Sequence, residues 1–349
     1  MKAPTGNPDR GPAPFTERAF LSGLRRAAPS APKNPSLILG PGDDAALWRP
    51  RAGFEAALSC DLLAEGVHFD LRWTDAWSLG AKAAAVNLSD LAAMGAQPSA
   101  FLVSVALPRR AGLGEPWLKA FHAGLRAYMG AFGASPAGGD LSASRSGVFI
   151  DVTVLGEVER GRALRRSAAR VGDAVFVSGP LGRSAAGLRV LESRPLARRL
   201  GARLAEALAQ SHRLPVPQVL AGRWLLQERL ARACVDLSDG LASEAWHIAR
   251  ESGVALEIDE AAVPLGAGVA DAAAALGKAP HDFAYFGGED YQLLFTVPER
   301  RAAQVLARME HYAGCRPARI GTVRAGRGVR VRAGGRLRSL EDGGHDHFR

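Results

Sequence analysis

The sequence predicts an α+β fold in two domains, and three observations carry that reading. At 349 residues the chain is longer than one typical domain. Segments of period-two hydrophobicity mix with segments of helical period, without the strict alternation of a doubly wound parallel sheet. The Arg/Gly-rich stretch Glu159–Arg166 separates one long predicted strand from the next, which places a boundary after residue 160.

Residues 1–14 are rich in Pro and Gly and lack an apolar run, so a disordered lead-in is expected there and not a secretory signal. A first domain, 15–160, opens with a helix over Phe15–Arg26. Strands follow at Ala56–Cys60, Ala100–Leu107 and Val148–Val158, with helices at Ala76–Met94 and Trp117–Phe132 between them. The second domain, 161–349, carries predicted strands at Ala174–Ser178, Ala255–Ile258, Gln292–Val297 and Val329–Arg332. Its predicted helices are Ser184–Glu192, Leu200–Ser211, Pro217–Ala233, Leu241–Ser252 and Arg300–His311. Gly95 and Gly253 stand where left-handed caps would end their helices.

Composition narrows the function. The chain is 47% hydrophobic and 23% charged, an ordinary globular profile, and no apolar run reaches the ~18 residues of a membrane helix. Cys60, Cys234 and Cys315 lie far apart with no Cys or His at metal spacing, so neither a disulfide framework nor a zinc site is expected. That usage fits the reducing cytoplasm. The net charge of +9 is not a nucleic-acid signature. Only five of the 44 basic residues are lysine, and the arginines are dispersed and not interleaved with stacking aromatics. A basic surface that attracts anionic substrates accounts for the charge.

The chemistry lies in acidic residues set beside Gly, Ser or a second Asp: Gly42-Asp43-Asp44, Ser59-Cys60-Asp61, Asn87-Leu88-Ser89-Asp90, Gly138-Gly139-Asp140 and Asp236-Leu237-Ser238-Asp239-Gly240. Each alone reads as a turn or a helix cap. Asp90 is the exception, because a carboxylate in the apolar setting of Leu88, Leu91 and Met94 needs a partner. No P-loop is present: the single Gly-Lys pair, Gly277-Lys278, is followed by Ala279. Together the motifs point to Mg²⁺, which takes hard oxygen ligands and is usually held by one or two carboxylates plus substrate phosphates. Several such ions neutralise a triphosphate without a lysine cradle.

These strings, with Glu65-Gly66-Val67-His68-Phe69, Arg165-Arg166-Ser167, Gly287-Gly288-Glu289-Asp290-Tyr291 and the terminal Asp346-His347-Phe348, resemble the thiamine-monophosphate kinases in order from about Phe15 to Phe348. The resemblance implies a two-domain architecture of the aminoimidazole-ribonucleotide-synthetase type. Its N-terminal mixed α/β domain pairs into a homodimer, and its C-terminal α+β domain completes the ATP and substrate site. It implies ATP- and Mg²⁺-dependent phosphorylation of thiamine monophosphate to thiamine diphosphate by direct transfer of the γ-phosphate. The metal ligands carried over are Asp44, Ser59, Cys60, Asp61, Asp90, Asp140, Asp236 and Asp239. The nucleotide contacts are Gly139, Asp140, Arg166 and Ser238, and the substrate contacts are His68, Glu289 and His345. Cys60 stands at a usual threonine, a substitution that is harmless if the ligand is the backbone carbonyl. His345 replaces an aromatic residue, and Phe132 stands where Tyr is frequent. The same architecture serves ATP-dependent enzymes with other acceptors, in purine synthesis and selenophosphate formation. The latter use a reactive Cys or selenocysteine in an N-terminal segment that has none here.

Overall fold

The computed structural model describes Phe20, residues 34–110 and residues 112–343. The expected lead-in, most of the helix expected over 15–26, His345 and Asp346-His347-Phe348 lie outside the described residues. Within them the elements run as follows. β1 (Leu37–Leu39), β2 (Leu47–Trp48) and β3 (Phe54–Ala64) precede α1 (Ala76–Ala93), β4 (Gln97–Pro108), α2 (Glu115–Ala131), β5 (Ser135–Ser144) and β6 (Phe149–Glu159). Then come β7 (Ala174–Val177), α3 (Arg183–Glu192), α4 (Arg194–Leu200), α5 (Ala202–Arg213), α6 (Val219–Gln227), β8 (Cys234–Asp236), α7 (Leu241–Ser252) and β9 (Ala255–Asp259). The chain continues through α8 (Val269–Leu276), α9 (Pro280–Tyr285), β10 (Leu293–Val297), α10 (Ala302–Ala313), β11 (Ala318–Arg324), β12 (Gly328–Ala333) and β13 (Arg336–Ser339).

Two sheets organise the molecule. The first has the order β3-β6-β4-β5, antiparallel except for the parallel β4–β5 pair. The second has the order β13-β12-β9-β11-β7-β10-β8. It is antiparallel apart from β12–β9. Every predicted strand is present. The predicted helix Leu200–Ser211 starts two residues later, because Gly201 (φ 80°) breaks it from α4. Pro217–Ala233 shrinks to α6, and its tail becomes the approach to β8. Gly95 and Gly253 both take left-handed φ at the ends of α1 and α7. At Gly95 the cap is a Schellman motif, with Ala96 N–H donating to Leu91 O and Gly95 N–H to Ala92 O.

α1 positions the site. Its sequence has almost no polar face because it is enclosed on all sides: by the first sheet, by α2, by α6 and by β8. One continuous apolar core therefore joins the two halves, running from Leu88 and Leu91 to Trp224, Leu225 and Phe295. The α1–α6 contact is so close that a Cβ on Gly222 would sit 1.9 Å from Ala92 O, so only glycine is compatible with that spacing. Beside it Arg223, largely buried, donates to Gly95 O at 2.8 Å and pairs with Glu159 at 3.0 Å. This ties the end of the first sheet to the second half.

Candidate active site

Alternation along β3 decides which of its residues can act together. Ala57, Ser59, Asp61 and Leu63 point to the helix-covered face, and Leu58, Cys60 and Leu62 point to the other, exposed face. On the covered face Ser59 Oγ donates to Asp90 of α1, and the Asp61 carboxyl faces the same Asp90. One residue back on α1, Ser89 Oγ donates to Asp236 at the end of β8 at 2.7 Å. Three carboxylates from both halves of the chain, Asp61, Asp90 and Asp236, thus face one another across α1.

Their electrostatics are those of a cation site. Burial raises Asp61 to about 7, helped by the negative charges of Asp90 and Asp236. Burial and then Asp90 raise Asp236 to about 7. Asp90 is also raised by burial, held back by the Ser59 and Asp61 hydrogen bonds and by the Arg166 charge. Glu244, in the first turn of α7, is pushed to about 8 by burial and by Asp236 and Asp239. The Arg166 guanidinium opposes the rise at Asp90, Asp236 and Glu244. Asp61 Oδ2 and Glu244 Oε2 are buried with no hydrogen-bond partner. Such orphaned carboxylate oxygens are costly unless something binds them. Ser238 Oγ lies 3.3 Å from Glu244 and 3.4 Å from Asp239, at the mouth of the same cluster.

The donor set is all hard oxygen, so it fits Mg²⁺. Among the described residues no three acidic, His or Cys side chains form a ready-made cage.

Other expected site residues stand apart from this cluster. Register aligns Asp140 on β5 with Ser104, Asp151 and Leu62, on the exposed face of the first sheet. Cys60 Sγ is 3.3 Å from Asp151 Oδ2 on that same face, so its side chain points away from Asp61. Gly139 lies flat against β4, where a Cβ would meet Val103 O at 2.0 Å. Asp44 is exposed in the turn between β1 and β2, its N–H donating to Asp43 Oδ1. That hairpin rests on β5 through Leu37 and Ala137.

A second polar centre surrounds Glu289. Lys82 of α1, only 1% exposed, donates to Glu289 Oε2 at 2.9 Å and to the His68 carbonyl at 3.0 Å. His212 of α5 contributes its Nδ1 at 3.0 Å from the same Oε2. His68 Nδ1 accepts from Ala64 N–H. Glu289 takes a left-handed φ of 64°, fixed by its N–H donating to Ser238 O at 2.7 Å. The loop carrying Glu289 is therefore stitched to the loop carrying Ser238 and Asp239. Next to it, half-buried Asp290 accepts the Gly182 and Ser184 N–H groups at the start of α3.

The sequence reading missed Ser89, Lys82, His212, Glu244 and Asp151. A lysine within Ala81-Lys82-Ala83-Ala84-Ala85 was a usable signal, since an unpaired buried ammonium is not tolerated. The others have no local signature.

The chain is similar to known proteins over most of its length. Residues 42–158 match the family model described as AIR synthase related protein, N-terminal domain, and residues 170–334 match the corresponding C-terminal domain. The thiamine-monophosphate kinase of Bacillus subtilis (strain 168) is 38% identical over 265 residues, 75% of this chain and 78% of that one. That of Aquifex aeolicus (strain VF5) is 36% identical over 296 residues, 83% of this chain and 87% of its own. Among solved structures, thiamine-monophosphate kinase from Stenotrophomonas maltophilia K279a superposes with a TM-score of 0.75 at 35% identity, covering 90% of this chain and 93% of that one. AaThiL complexed with AMPPCP and TMP gives 0.74 at 33% identity, covering 95% and 97%. Covered by two AIR synthase related domains and matched by these relatives over most of its length, the chain belongs to the thiamine-monophosphate kinase family.

Proposed function

We propose that this protein transfers the γ-phosphate of ATP directly to thiamine monophosphate, giving thiamine diphosphate, in a Mg²⁺-dependent reaction in the cytoplasm. The observation that carries the reading is the buried meeting of Asp61, Asp90 and Asp236, drawn from both halves and including a carboxylate oxygen with no partner. With Ser59, Asp44, Asp140, Asp239 and the backbone of Cys60, these residues would hold several Mg²⁺ ions. The ions, when bound, supply the positive charge that neutralises the triphosphate and the transferring phosphoryl group. Gly139, Asp140, Ser238 and Arg166 are assigned to the nucleotide, Arg166 because its planar fork suits phosphate oxygens. His68, Glu289 and His345 are assigned to the acceptor, where the Glu289 carboxylate would meet the cationic thiazolium or the aminopyrimidine. The relative crystallised with AMPPCP and TMP supports this pairing of ligands.

The two units assigned are 15–160 and 161–349, and a homodimer is assigned through the first. Its sheet exposes Leu58, Leu62, Leu102 and Phe149 on the face away from α1. An apolar patch of that kind on a four-stranded sheet is the expected signature of a protein partner. Incubation with ATP, Mg²⁺ and thiamine monophosphate, followed by chromatographic separation of thiamine phosphates, tests the reading. Thiamine diphosphate that disappears with EDTA is expected; ATP-dependent turnover only with a different acceptor would move the protein to another activity of the same architecture.

A further inference from the structure

Among the described residues, Lys82 is placed unlike the other lysines, Lys119 and Lys278, which are exposed. It lies in the middle of the enclosed helix α1, its side chain 1% exposed. Burying an ammonium is unfavourable unless each of its three hydrogens finds an acceptor. Here the acceptors are Glu289 Oε2 at 2.9 Å, the His68 carbonyl at 3.0 Å and, more loosely, His212 Nε2 at 3.4 Å. His212 is buried, and burial followed by the Lys82 charge lowers it to about 4, so the imidazole is neutral. Its Nδ1 lies 3.0 Å from Glu289 Oε2, and its Nε2 faces the Lys82 ammonium, which has no lone pair and can only donate to it. Ser184 Oγ, 3.0 Å from Nδ1, closes the ring of contacts.

The network joins separate parts of the fold. His68 belongs to the loop after β3, and Lys82 to α1, both in the first half. His212 belongs to α5, Ser184 to α3 and Glu289 to a strained loop, all in the second half. Lys82 and His212 both meet the Glu289 carboxylate at Oε2, and its side chain remains 24% exposed. One edge of the carboxylate is therefore anchored inside, leaving the accessible part to face a ligand. The same ammonium fixes the backbone of His68.

We propose that Lys82 is a positioning residue for acceptor binding: one buried ammonium holds the His68 backbone and the Glu289 carboxylate in a fixed relation, so that two substrate-facing groups from the two halves form a preset cradle. His212 is its auxiliary, filling the remaining hydrogen-bond positions without adding charge. The inference rests on the reading of His68 and Glu289 as acceptor contacts. It also accounts for a lysine at a position where an apolar residue would satisfy the packing.

The test compares K82R and K82M in the full-length protein, with KM for thiamine monophosphate and for ATP measured separately and acceptor affinity measured by calorimetry. K82R keeps the charge, yet a planar guanidinium cannot direct hydrogens to all three acceptors from the same place. Its expected KM for thiamine monophosphate is about tenfold higher, and that of K82M about a hundredfold higher, the range for losing hydrogen bonds to a charged group. In both variants KM for ATP is expected to stay within about threefold, and calorimetry should follow the acceptor KM. A purely structural lysine would lower the melting temperature and leave acceptor KM unchanged in the folded protein, and that result overturns the proposal. Absence of thiamine diphosphate formation by the wild type would instead refute the functional reading beneath it.

Discussion

Replacing Asp236 by Asn should make the metal-free protein more stable while abolishing turnover. Asp236 is 4% exposed and accepts one hydrogen bond, from Ser89 Oγ. Asn keeps the shape and that acceptor but removes a charge from a cluster of three carboxylates. A buried carboxyl raised from 3.8 to about 7 costs the native state at most about 4 kcal/mol once the pH exceeds both values. Because neighbouring Asp61 and Asp90 share the same proton and the same repulsion, relief at one position is expected to be about 2 kcal/mol. The sign follows from linkage: a folded-state value above the unfolded one leaves stability intact below about pH 4. Stability is then lost as pH rises toward 7, and the loss is constant above that. Urea unfolding in EDTA should therefore show D236N more stable than wild type at pH 8, with the gap closing toward pH 4. Adding Mg²⁺ and ATP should stabilise the wild type and leave D236N nearly unchanged. If D236N is equally or less stable than wild type in EDTA at pH 8, the cluster is not strained by repulsion and the argument for a cation site falls.

Two further outcomes are expected. Gly222→Ala drives a Cβ to 1.9 Å from Ala92 O, so α6 must lift from α1, at a cost of about 3 kcal/mol; differential scanning calorimetry should show a lower melting temperature, and an unchanged one would mean the helices are not in this close contact. Leu58→Glu places a charge midway along edge strand β3, on the exposed face of the first sheet, where Leu58 is 63% exposed. Sedimentation velocity should show wild-type dimers and mutant monomers with little change in unfolding midpoint, whereas dimers in both would assign the face to something else.

How far the sequence could be read depended on how local the cause was. α1 was legible because its length, its apolar content and Gly95 are local signals, and the carboxylates were legible because each stands beside a small residue. β5 was not expected as a strand. Its sequence, Ser135-Pro136-Ala137-Gly138-Gly139-Asp140, reads as a loop, and the reason for its glycine is the carbonyl of Val103 on the neighbouring strand. β11 was missed because only Ile320 and Val323 along it are fully buried, interrupted by a bulge between Arg319 and Gly321. The network at Glu289 is invisible locally, since its partner Lys82 lies 207 residues away. The sequence motif Ser59-Cys60-Asp61 likewise reads as one unit, but the pleat sends its middle side chain to the opposite face.

The enclosure of α1 has a mechanical consequence. Proteins that shut two lobes around a nucleotide commonly do so by hinge rotation, which requires an interlobe contact that can separate cheaply. Here such a rotation would pull Trp224, Leu225 and Leu226 away from α1, uncover their buried surface and break the Arg223–Glu159 pair. The two lobes are thus expected to move as one rigid body, and admission of ligands falls to short segments at the rim. Catalytic geometry in such a molecule is set when the chain folds and does not await closure around the substrate.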